Sequence, residues 1–418
     1  MTQNITTASI PVGRRHDLDA IRIGAFALLI LYHIGMFYVP WDWHVNSQRP
    51  QEWLEPVMRF TSPWRLTLLF LVSGAATRLL LEAYRRQGAG AEERLAGSRL
   101  LRLGLPLMFG MLVIVPPQTY FEVVQYVRDT GLHPDIYHNV LTADFWVRYA
   151  SSKGDWCDAD GCIITPTWNH LWFVAYVLIY GLLAAMVAGL AKHRLETWAK
   201  GVERVLSGAG LFIWPIAFLA LIRIDLSPRF PVTHDLVQDL YTHALSLGAY
   251  AFGFLLVAAP RVTERLVRYR HLSLGLALCS YAIYVTYMHL GGGTDAGPLL
   301  RNAMRVVYAV DQWAFIAAIL GYAARHVHST SPLMKYLGGG IFTFYIVHQT
   351  LIVVAAANVE KMKLPLFAEM GIVLFITVGG SVLAYEIAKR IGVFGVLLGV
   401  SATKRRVSSA RITNVIPA

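Results

Sequence analysis

Ten stretches of this chain are apolar enough and long enough to cross a lipid bilayer: 18–40, 63–83, 99–117, 170–191, 208–224, 243–259, 272–290, 306–324, 338–357 and 367–388. An α-helix rises about 1.5 Å per residue, so about 20 residues span a hydrocarbon core of roughly 30 Å. A helix also satisfies its own backbone polar groups there. The expected fold class is therefore an all-α polytopic membrane protein with about ten transmembrane helices. The fifth and sixth runs are short, near the lower limit of a span. Only 15% of the 418 residues are charged, where a soluble protein carries about a quarter. The first run is too long for a signal peptide and lacks a small-residue cleavage site. The expected organisation is an N-terminal tail over 1–17, a membrane domain over 18–391 with a long outer loop at about 118–169, and a basic tail over 392–418.

A net charge of +11 invites a nucleic-acid partner, but its distribution argues against one. With the N-terminus inside, the inner segments carry 23 of the 37 Lys and Arg residues, and the outer loops carry 10. This asymmetry follows the positive-inside rule and places both termini in the cytoplasm. Basic arms such as Lys404-Arg405-Arg406 suit contact with anionic membrane lipid.

Polar residues inside the spans mark where chemistry could occur. Arg22 and His33 are eleven positions apart in the first span, an interval that returns to the same helix face about 16 Å further along. Ionisable groups at such depth are costly and usually face a bundle interior or a watery cavity. Span 2 carries Arg65 near its outer end, Ser73-Gly74 at mid-depth and Arg78 toward its inner end. Span 3 opens on Arg99 and Arg102, an i,i+3 pair at the inner surface that fits either the topology signal or phosphate binding. Trp168-Asn169-His170-Leu171-Trp172-Phe173 opens span 4. Span 7 stacks Tyr281, Tyr284 and Tyr287 and ends at His289, span 9 holds Tyr345 and His348, and span 10 ends in Tyr385-Glu386. Most such aromatics serve as interfacial anchors or core. Cys157 and Cys162 lie in an acidic stretch of the outer loop. That pair suits a disulfide in an oxidising exterior better than zinc, which wants further Cys or His nearby, so no metal site is expected. Cys279 reads as a small core residue, and Gly338-Gly339-Gly340 and Gly291-Gly292-Gly293 as loop residues at span ends.

Leu18-Asp19-Ala20-Ile21-Arg22, followed after ten residues by His33, resembles the opening signature of the integral-membrane acyltransferase-3 family. Arg99 to Arg102 leading to Pro106, Leu171-Trp172-Phe173 and Tyr345-Ile346-Val347-His348 are similar to further family motifs. Within the family, Trp43-His44-Val45-Asn46-Ser47, Arg65 through Gly74, His170-Leu171-Trp172-Phe173, Tyr345 through His348, and Tyr385-Glu386-Ile387 resemble the branch that succinylates periplasmic glucans. The outer loop with its cysteine pair has no recognised counterpart there, and no fused extracytoplasmic hydrolase-like domain is read in the chain. Acyl transfer is therefore expected in the membrane part itself.

The resemblance implies transfer from cytoplasmic acyl-CoA (succinyl-CoA or acetyl-CoA), as co-substrate, to a hydroxyl of an extracytoplasmic glucan or other polysaccharide. It also implies residence in the bacterial cytoplasmic (inner) membrane. His33 becomes the expected general base, with Arg22, on the same helix face, the second catalytic candidate. Arg99, Arg102 and Arg78, together with Arg22, become candidates for the CoA phosphates. Arg65, His44, Asn46, Ser73, Trp172, Tyr345 and His348 become substrate-binding candidates, and a succinyl carboxylate would give Arg65 a partner. An acyl-histidine intermediate is the variant mechanism. O-acetylation of another surface glycan is an alternative activity. A secondary transporter is a second alternative, but no paired halves with broken helices are visible, and a sensor or scaffold leaves the Arg22/His33 stripe without a use.

Overall fold

The computed structural model describes residues 15–130, 144–154, 156–157, 162–291 and 296–400. Among them every regular element is helical: α1 His16–Tyr38, α2 Leu54–Thr61, α3 Arg65–Arg86, α4 Ala91–Arg99, α5 Leu105–Phe109, α6 Pro116–Thr130, α7 Asp144–Ala150, α8 Trp172–Leu190, α9 Leu195–Val205, α10 Gly210–Asp225, α11 Leu240–Leu256, α12 Pro260–His289, α13 Pro298–His326, α14 Pro332–Val359, α15 Leu366–Arg390 and α16 Gly392–Leu397. Eight of the ten apolar runs lie in helical stretches of bilayer length. The fifth falls in α10, which meets α9 at 102°, and the sixth in the 17-residue α11.

Contacts between α1 and α14 fix their relative direction. His16 meets Thr330 (2.5 Å), Arg22 the carbonyl of Gly338 (3.4 Å), His33 His348 (2.8 Å), and Ser47, just past α1, Glu360 (2.5 Å). Both numbers rise together, so the two helices are parallel. Helix α15 then returns antiparallel, with Gly380 against Leu351 and Tyr385 against Gly339. The helical array thus begins and ends at one end, hereafter the Arg22 end. That parity requires an even number of crossings: the fifth and sixth runs cross together or not at all.

The centre of the bundle is aromatic. Phe70 of α3 lies 4.6–6.5 Å, centroid to centroid, from Trp172, Phe173, Tyr176 and Tyr180 of α8. Helices α3 and α11 touch backbone to backbone, because a Cβ on Gly74 would lie 1.9 Å from the Tyr250 carbonyl oxygen and one on Gly253 1.8 Å from that of Leu71. Gly74 is therefore a packing residue. Between α4 and α6 the chain widens into two π-helical turns, Leu100–Gly104 and Gly110–Ile114. Such turns recur at functional sites, and the second lies against Leu171 and Ile346.

Three local expectations are corrected. Gly338–Gly340 are helical, inside α14, where the missing side chains of Gly339 and Gly340 make room for Tyr385 and Phe344. The stretch expected to begin the outer loop at 118 is helical through α6 to Thr130. Cys279 is exposed on the outside of α12, not in a core. Further along the loop Cys157 and Cys162 are disulfide-bonded. Beside them Phe145, Tyr149 and Trp156 form a small core, and the Tyr149 hydroxyl lies between the carbonyls of Met111 (3.0 Å) and Thr167 (3.1 Å). Lys404–Arg406 and the acidic Asp155, Asp158 and Asp160 fall outside the described residues.

Candidate active site

His33 and His348, 315 positions apart, are joined side chain to side chain: His33 Nδ1 lies 2.8 Å from His348 Nε2. Their protonation pattern follows from one fixed acceptor. His348 Nδ1 is 2.7 Å from the carbonyl oxygen of Tyr345, one turn earlier in α14. A carbonyl only accepts, so His348 Nδ1 carries a hydrogen. In the neutral ring Nε2 is then a lone-pair acceptor, and His33 Nδ1–H donates to it. His33 Nε2 is left with a free lone pair. The ring lies nearly parallel to those of His348 (centroids 5.0 Å, 13° interplanar) and Trp43 (6.2 Å, 22°).

Behind this pair lies a buried polar network. His170, on the 3-10 turn Asn169–Leu171, meets the Ile346 carbonyl through Nε2 (3.0 Å) and so accepts from the Gln118 amide at Nδ1 (3.3 Å). The Tyr345 hydroxyl donates back to the His170 carbonyl. Gln118 also donates to Thr350 (2.6 Å) and accepts from Gln349 (3.1 Å) and Asn169 (3.3 Å). Thr350 in turn donates to the carbonyl of Ile114 (2.7 Å), on the second π-helical turn. His170, Gln118, Tyr345, His348 and Gln349 are all buried. Buried networks with every member satisfied hold their groups rigidly. Gln118 and Gln349 escaped the sequence reading; the polar run His348-Gln349-Thr350 inside an apolar span was the available signal.

The expected substrate-binding residues divide by contact. Arg65 is buried (3% exposed), lies 3.5 Å from the Tyr32 ring centre and donates to Thr61 at 2.9 Å. Among the described residues no carboxylate lies within ion-pair distance of it, and its Nε is buried without a partner. His44 pairs with Glu122 at 3.2 Å. Burial works against its imidazolium, but the Glu122 carboxylate, with Asp42, outweighs that and holds the His44 pKa above its ordinary value. Asn46 spends its amide inside its own turn, accepting from Trp43 N (3.2 Å) and donating to the Trp41 carbonyl (2.8 Å). Trp172 stacks on His234 at 4.0 Å. The backbone carbonyl of Ser73 accepts from Thr77 at 2.8 Å.

The arginines expected to meet the donor are also sorted. Gly35 packs on Met58, and Tyr32 on Ser62 and Arg65, so α1 and α3 are antiparallel. Arg22 and Thr77 each lie ten to twelve residues from that contact, about 15–18 Å along the axis. Arg99 donates to Thr77 at 2.7 Å. The Arg99 and Arg22 side chains therefore share one level of the bundle, at the Arg22 end. Arg102 is exposed beside them. Arg78 is buried and already matched, by Glu82 (2.8 Å) and Glu196 (2.5 Å). Among the described residues no cluster of His, Cys, Asp or Glu is arranged to hold a metal ion.

Comparison with known proteins gives a consistent picture. A family model described as an acyltransferase domain matches residues 15–386. Glucans biosynthesis protein C of Salmonella typhimurium (strain LT2) is 24% identical over 419 residues, covering 97% of this chain and all of that protein. The protein of the same name from Escherichia coli O6:K15:H31 is 22% identical over 395 residues, covering 91% of this chain and 93% of that one. No solved structure matches the chain.

Proposed function

The chain belongs to the acyltransferase-3 family of integral-membrane enzymes, and on that footing we propose that it moves an acyl group, succinyl rather than acetyl, from cytoplasmic acyl-CoA to a hydroxyl of an extracytoplasmic glucan. The observation that carries this reading is the bare Nε2 of His33, oriented by the bond from its Nδ1–H to His348.

In the reaction, the acceptor hydroxyl gives its proton to His33 Nε2 as its oxygen attacks the thioester carbonyl carbon. The carbon–sulfur bond then breaks, and the departing thiolate takes the proton from the imidazolium. The imidazolium is stabilised by the Nδ1–H bond to His348, as orientation by a second group stabilises other catalytic histidines. The positive-inside charge pattern supports a cytoplasmic Arg22 end. Arg22, Arg99 and exposed Arg102 there suit the nucleotide phosphates, and the acyl-bearing arm extends along the α1 face toward His33. His44 and Trp43, beyond His33, suit the sugar. Arg65 supports succinyl over acetyl: it neighbours Tyr32, one position from the base, as a buried cation without an anion. Such a charge is costly until paired, and the distal carboxylate of a succinyl group supplies the pair.

The test is transfer from labelled succinyl-CoA to isolated periplasmic glucan by the purified enzyme and its His33→Ala variant. General-base loss costs about 10²–10⁴-fold. A correctly folded variant retaining more than about a tenth of wild-type rate contradicts the assignment.

A further inference from the structure

Outside the histidine cluster, α10, α12 and α13 form an open cavity of about 360 Å³ lined by Arg223, Arg301 and Arg305 together with Tyr284, Tyr287 and Tyr308. Three guanidiniums share one small space. Arg223 is fixed there: it donates to the Tyr241 hydroxyl and to Gln312 (2.7 Å each) and lies 3.9 Å from the Tyr308 ring centre. Its Nε is buried without a hydrogen-bond partner. Arg301 reaches only a backbone carbonyl, that of Ala296 (2.9 Å), and Arg305 only the Asn302 side chain (2.8 Å). Among the described residues none of the three forms an ion pair, and no carboxylate lines the cavity. The nearest acid along α13, Asp311, is buried (1% exposed) and too far from Arg223 for an ion pair.

Concentrated positive charge of this kind, without an ion-pair partner among the described residues, suits an anion with several acceptor oxygens. The surroundings say where that anion comes from. The cavity sits at the meeting ends of two long apolar helices. Leu290 (79% exposed) and Leu299 (86%) stand at those ends, and Ile283, nearly two turns back along α12, is also exposed. Apolar chains can run along that surface while a head group enters the cavity. Basic pockets between transmembrane helices bind anionic lipid head groups at the cytoplasmic side, and this cavity offers the same chemistry at the other end of the helices. We infer that the Arg223–Arg301–Arg305 cavity is a binding site for the phosphate of an anionic phospholipid head group.

The test uses the full-length protein in nanodiscs of equal phosphatidylcholine and phosphatidylglycerol, with retained lipid read by native mass spectrometry. Wild type is expected to retain phosphatidylglycerol roughly tenfold over phosphatidylcholine. The Arg301→Gln/Arg305→Gln variant should fall to the composition of the mixture. Arg229→Gln, at an exposed arginine paired with Asp225 (2.5 Å), should not change the ratio. If the double variant does not fold, Arg305→Gln alone is read on the same scale. Undiminished phosphatidylglycerol retention in the folded variant overturns the site. So does an equal loss in Arg229→Gln, which would mean diffuse charge. Displacement by millimolar inorganic phosphate, or by an anionic oligosaccharide, would assign the cavity to a soluble anion or a glycan and overturn the lipid assignment.

Discussion

At one end of α3, Arg78 and Arg85 lie among Glu82, Glu92 and Glu196, each guanidinium within 3.5 Å of a carboxylate. At the other end, Arg65 is just as buried and meets only an aromatic ring and a hydroxyl. The same residue type on one helix thus stands in two states. The first set is closed: its charges are matched and its work is to join α3 to α4 and α9. The second is open, and so is the histidine pair beside it, whose donors and acceptors are all spent except His33 Nε2. Where a buried polar group lacks its partner, the missing partner is a good guess at the substrate.

The largest effect that would break this contrast comes from His348. As a positioning residue it acts through His33, so His348→Leu should lower kcat on the order of 10²-fold. His348→Gln, whose carbonyl oxygen can still accept from His33 Nδ1–H, should recover part of that loss. Equal loss in both variants would mean that His348 serves packing alone. Next, Arg65→Gln removes a charge-assisted contact worth about 1.5–3 kcal/mol. The expectation is a fall of roughly 10–100-fold in kcat/KM for succinyl-CoA and little change for acetyl-CoA. A wild-type preference for acetyl-CoA, untouched by the substitution, would make Arg65 an anchor or acceptor contact. The smallest effect on activity belongs to the closed set. Arg78→Gln should cost about 1–3 kcal/mol of stability, since Glu196 is largely exposed and its share is screened, while turnover per folded molecule stays near wild type. A raised KM for acyl-CoA with unchanged Tm would instead return Arg78 to the donor site.

The stripe of Arg22 and His33 was legible because a helix period alone puts both on one face of α1, and the eight longest spans were legible from length and composition. The bond from His33 to His348 was not, because periodicity says nothing of which faces meet across 315 residues. Gln118 was hidden for a related reason: the chain was expected to leave the membrane at 117, whereas two π-helical turns carry the third span past it into α6. Gly338–Gly340 looked like a loop because glycine is permissive in isolation. Only the neighbours Phe344 and Tyr385 show that the missing side chains of Gly339 and Gly340 serve close packing inside a helix.

The claim that His33 is a bare-Nε2 base held by His348 is tested most directly by nitrogen-15 NMR of the enzyme labelled at histidine, with signals assigned by His33→Ala and His348→Ala. The account predicts that both rings, while neutral, carry their hydrogen on Nδ1, and that losing His348 shifts the His33 Nδ1–H signal. A His33 ring protonated on Nε2 in the neutral resting enzyme would leave no lone pair facing the substrate and would contradict it.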